Sequence, residues 1–123
     1  MKILKYFKIT SIAIIILGII HVLATPVVIQ GLSMLNSKTI FFIGYMFVAT
    51  GVAVIAAGWL QYFLLKKLVI HPSFITILEG TVIFMLLSGI GAVATLWVNP
   101  FAYIILLIAL YELFLLRLMK ETH

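Results

Sequence analysis

The 123-residue chain is 66% hydrophobic and 9% charged, and eight Lys and Arg against three acidic residues leave a net charge of +5. A soluble domain is about 45–50% apolar and about 25% charged, and a disordered chain is poorer still in apolar residues, so both classes are excluded. Two sizeable soluble domains do not fit the length, whereas four membrane helices of about 20 residues nearly fill it.

The chain opens on Lys2, Lys5 and Lys8, and the first apolar run follows over residues 9–29. Ser11, Ile14, Gly18, His21 and Thr25 recur at helical spacing and share one face, a small and polar stripe in an aliphatic helix. Pro26 lacks a backbone donor and frees the carbonyl of Val22, four residues earlier. The basic start followed by Val22-Leu23-Ala24 also has the outline of a secretory signal with a small-residue cleavage site. The apolar pattern runs on through Val27, Val28 and Ile29, which speaks for a retained span.

Residues 30–38, with Gly31, Ser33, Asn36 and Ser37, read as an exposed loop. The second span, residues 39–65, is long enough to need tilt or protrusion. Lys66, Lys67, His71 and Pro72 then suit a tight cytoplasmic turn, with Pro72 placed to begin the next helix. The third span is expected over residues 74–98 and the fourth over 101–119, with Asn99-Pro100 as the turn between them. The pairs Ala24-Thr25 and Ala94-Thr95 sit at equal spacing in the first and third spans, a faint echo of two related hairpins.

Short connections require neighbouring helices to run in opposite directions. The expected fold is therefore all-α and integral to the membrane: one domain over residues 1–123, a four-transmembrane-helix antiparallel bundle. Basic residues favour the cytoplasmic side, and Lys38 alone falls on the opposite one, so both N- and C-termini are expected to be cytoplasmic. Tyr6, Trp59, Tyr62 and Trp97 lie toward the run ends, where aromatic anchors belong. The expected setting is a bacterial cytoplasmic membrane crossed several times. Basic residues at the ends of apolar runs suit anionic headgroups, so the bilayer is the expected partner and nucleic acid is not.

Three strongly ionisable residues fall within the spans: His21, Glu79 and Glu112. A charge near the bilayer centre costs about 2.5–3.5 kcal/mol on insertion scales, so each is expected to face the bundle interior or water. Depth places Glu79 toward the cytoplasmic end, where Lys66 or Lys67 is in reach, and Glu112 deeper. His21 lies near the midplane, and adjacency of the first and fourth helices would bring it toward Glu112. His21, Thr25, Tyr45, Glu112 and Glu79 are thus the candidate ligand-binding or proton-coupling residues.

Gly44, Gly51 and Gly58 recur every seven residues in the second span, among Ala49, Ala53, Ala56 and Ala57. Small residues at that period let another helix approach closely, from the same chain or from a second copy or another membrane protein. Gly80, Ser88, Gly91 and Thr95 form a looser stripe in the third span.

Cysteine is absent, which excludes thiol redox chemistry and thiolate metal sites. No phosphate loop, paired-histidine helix motif or G-x-S-x-G elbow occurs, so no catalytic residue, metal ligand set or cofactor is identified. A single intramembrane histidine also fails bis-histidine haem ligation. The leading expectation is a polar pocket around His21 that binds or moves a small solute, a proton or a lipid-like molecule. The alternatives are an accessory subunit that docks through its glycine seams, and a small enzyme acting on a lipid or quinone-like substrate with His21 as acid or base.

Overall fold

The computed structural model describes residues 2–95 and 99–122, and it is helical throughout apart from short connections. Its long helices are α1 (Lys2–Gly31), α2 (Ser37–Lys67), α3 (Ile75–Thr95) and α4 (Pro100–Glu121). A single 3-10 turn, Pro72–Phe74, leads into α3. All four are long and apolar enough to cross a membrane. The side chain of Thr95, together with Trp97, Val98 and His123, lies outside the described residues, and with them the expected outer anchor and the end of the third span.

The helices outrun the apolar stretches. Helix α1 begins seven residues before the expected start, because Lys2, Lys5 and Lys8 are good helix formers and nothing interrupts the turn. A hydrophobic run marks the lipid-buried part of a helix, while backbone hydrogen bonding continues until a cap or breaker stops it. Asn36 is such a cap: its Oδ1 accepts from the Thr39 N–H at 2.9 Å and starts α2 at Ser37. Asn99 does the same for α4, accepting from the Phe101 N–H at 2.9 Å, with Pro100 in the first turn where its missing donor costs nothing. Helix α1 continues through Pro26.

Helix α1 packs chiefly on α2, and α3 on α4, with smaller contacts joining α1 to α4 and α2 to α3. Along the first seam Gly58 meets Ser11 and Ile14, Gly51 meets Gly18 and Val22, and Gly44 meets Ile29. The seven-residue glycine spacing is therefore filled by α1 of the same chain. Between α3 and α4 the close approach is at Gly89, where an added Cβ would stand 2.9 Å from Leu106 Cα. Gly80 and Gly91 are not the seam: a Cβ on either meets nothing within 4 Å. Helix α3 shows little contrast between its faces, so its sequence does not disclose which one it turns inward.

Two apolar clusters tie the helix pairs together. Phe7, Leu64, Leu65, Leu68, Leu78, Val82, Leu115, Leu116 and Met119 form one, drawn from all four helices, and every basic residue except Lys38 lies within five positions of one of its members in sequence. Ile14, Val54, Ala57, Met85 and Ala109 form the second, further along the bundle. Large side chains such as Leu23, Phe41, Trp59 and Leu107 point outward. A surface this apolar is unsuited to water and suited to lipid, as a multi-pass membrane protein requires.

Candidate functional site

The five candidate residues do not converge on one pocket. His21, on the α2-facing side of α1, stacks on Phe47 with ring centroids 3.7 Å apart and planes inclined by 17°. Gly51 makes this possible, since a Cβ there would stand 3.2 Å from His21 Cδ2. The His21 ring stands against the Phe47 backbone as well as its ring, and Nε2 is buried without a partner. Either tautomer of an imidazole leaves such a nitrogen as an unmet hydrogen-bonding group.

His21 borders a cavity of about 380 Å³ whose walls come from all four helices. Leu17, Phe42, Ile43, Met46, Val54 and Ile105 make that lining mainly apolar, with Thr50 and Ser88 as the further polar side chains. Thr50 Oγ1 already donates to the Met46 carbonyl at 2.8 Å. The expected polar pocket is thus an apolar one with an imidazole on its wall. The polar stripe of α1 contributes less than its spacing promised, because Ser11 donates to the Phe7 carbonyl at 2.9 Å and lies against Gly58 instead.

Thr25 and Tyr45 belong elsewhere. They line a second, shallower groove with Ile29, Ile40, Phe41 and Val48, and the buried Thr25 Oγ1 has no partner there. Glu79 forms an ion pair with Lys120 at 2.7 Å, not with Lys66 or Lys67. Those two lysines lie over the rings of Tyr62 and Phe63, at 4.6 and 5.8 Å from the centroids.

Glu112 does not meet His21. It accepts at Oε2 from Gln61 Nε2 at 2.9 Å, with Thr10 of α1 against the same carboxyl. Thr10 precedes His21 by eleven residues, about 16 Å along α1 at the helical rise, so the two places are separate. Gln61 was not among the expected site residues. Its signal was available as the one amide side chain inside the second apolar run, where an unpaired polar group is expensive.

Among the described residues no three His, Asp or Glu side chains gather as metal ligands. No protein family, curated protein or solved structure matches this chain.

Proposed function

We propose that the protein is a multi-pass component of the cytoplasmic membrane whose cavity at His21 binds a small, largely apolar molecule ending in a hydroxyl or N–H group. The observation that carries this reading is the His21 ring on the wall of a cavity bounded by all four helices, with its Nε2 buried and without a partner. A buried polar atom left unpaired costs about 1–3 kcal/mol, which a ligand group brought to it would recover. The apolar lining supplies area and the imidazole supplies orientation, the usual division in small-molecule sites.

In this reading the helices form an antiparallel bundle with both termini cytoplasmic. Support comes from the opposite order of paired residues along α1 and α2, and from the basic flanks gathered round one apolar cluster. A docking role through the glycine seam has less support, because α1 already fills it.

The test is binding of a long-chain phenol, and of its methyl ether, to the full chain in lipid nanodiscs. The phenol should bind saturably and the ether at least about tenfold more weakly, a difference of about 1.4 kcal/mol. His21→Phe keeps a ring on Phe47 and should abolish that preference. Equal binding of phenol and ether to the parent would overturn the reading. Counterflow in proteoliposomes, lost in the same variant, is the outcome that would extend binding to transport.

A further inference from the structure

Glu112 and Gln61 are fully buried, both at 0% exposure, and each retains an oxygen without a hydrogen-bond partner: Glu112 Oε1 and Gln61 Oε1. The Thr10 hydroxyl beside them hydrogen-bonds to the Phe7 carbonyl at 2.8 Å and also stands against the Glu112 carboxyl. The cluster holds four side-chain oxygens from three helices, and the hydrogen bond from Gln61 Nε2 to Glu112 Oε2 leaves Glu112 Oε1 and Gln61 Oε1 without a donor.

Among the described residues no cation pairs with the carboxylate. On α4, Arg117 pairs with Glu121 at 3.4 Å and Lys120 with Glu79 of α3 at 2.7 Å. On α2, Lys66 and Lys67 cover aromatic rings, and Tyr62 is the ring under Lys66. On α1, Lys8 is half-buried, and among the described residues it forms no ion pair with Glu112; Tyr111 of α4 is exposed. A fully buried carboxylate with no counter-charge is strongly disfavoured in a lipid-solvated bundle. A proton removes that charge and gives the carboxyl a donor in one step. A hard divalent cation would want six or more oxygens, which three side chains do not provide.

We propose that Glu112, Gln61 and Thr10 form a proton-binding site, in which Glu112 is carried as the neutral acid and its O–H supplies a donor to the oxygens left without one. The site is distinct from the His21 cavity, and either reading can fail without the other.

Infrared spectroscopy of the full chain in nanodiscs tests it directly, with Glu79→Gln as control. At neutral pH the parent should show a carboxylic-acid carbonyl band that shifts in heavy water, persists in Glu79→Gln and disappears in Glu112→Gln. Gln61→Leu should move the band to higher frequency, because Oε2 then loses its donor, and this readout stands if Glu112→Gln does not fold. A parent with carboxylate bands alone at neutral pH would overturn the proposal. So would a carboxylic-acid band unchanged in both Glu112→Gln and Gln61→Leu.

Discussion

Gly18 of α1 and Gly51 of α2 meet backbone to backbone: a Cβ on Gly18 would stand 3.0 Å from the Gly51 carbonyl oxygen and from the Ile55 nitrogen. Neither atom has room to yield, since both belong to the helical ladder. Gly18→Ala and Gly58→Ala, the latter facing the Ser11 carbonyl at 2.8 Å, should each destabilise the bundle by about 1–3 kcal/mol. Gly44→Ala meets just the mobile end of Ile29 and should cost less, while Gly80→Ala, in open space, should be neutral or gain about 0.5–1 kcal/mol of helix propensity. Unfolding in mixed micelles would give the order, and a Gly44 variant worse than Gly58 would contradict it.

That contrast shows what the sequence discloses and what it withholds. Four spans are legible because hydropathy averages over about 20 residues and tolerates local error. The α1–α2 seam is legible because Gly44, Gly51 and Gly58 mark one face of α2 at a seven-residue period. The α3–α4 seam is not, since Gly80, Gly89 and Gly91 share no such period and α3 has little contrast between its faces to fix its rotation before packing. The ionisable residues are legible one at a time, but their partners are not. Gln61 and Glu112 are 51 positions apart, and their meeting depends on how the α1–α2 and α3–α4 pairs assemble.

The Gln61–Glu112 hydrogen bond should show strong non-additivity. Gln61→Leu and Glu112→Leu each strand one buried polar group and should cost about 1–3 kcal/mol. The double Leu variant removes both groups and should be more stable than the sum of the single changes implies, by about 1–2 kcal/mol, near the upper range for interhelical hydrogen bonds in membranes. A double-mutant cycle on unfolding free energies measures this, and strict additivity would show that the two side chains do not act as a pair.

The Glu79–Lys120 pair is short but sits at the surface, with side chains 38% and 43% exposed. Solvent screening limits such pairs to about 0.2–1 kcal/mol. Glu79→Gln should therefore lower stability slightly, and the deficit should fade as salt is raised from about 0.01 M to about 1 M. An effect above that range, or one indifferent to salt, would place Glu79 in a different role from the ion pair.

Filling the cavity separates its volume from the chemistry of His21. Ser88 lines the wall contributed by α3, whereas His21 stands on α1 against Phe47. Ser88→Leu adds apolar bulk to a space of about 380 Å³ and leaves the imidazole, its Phe47 stack and the Gly51 contact in place. Binding of the phenol probe should fall at least about tenfold, while stability holds or rises because added side-chain atoms find contacts in the cavity. Loss of binding with loss of stability would instead indicate overpacking, which Ser88→Ala resolves by keeping the volume open. Undiminished binding in a stable Ser88→Leu variant would show that the probe sits elsewhere, and would move attention to the Thr25–Tyr45 groove.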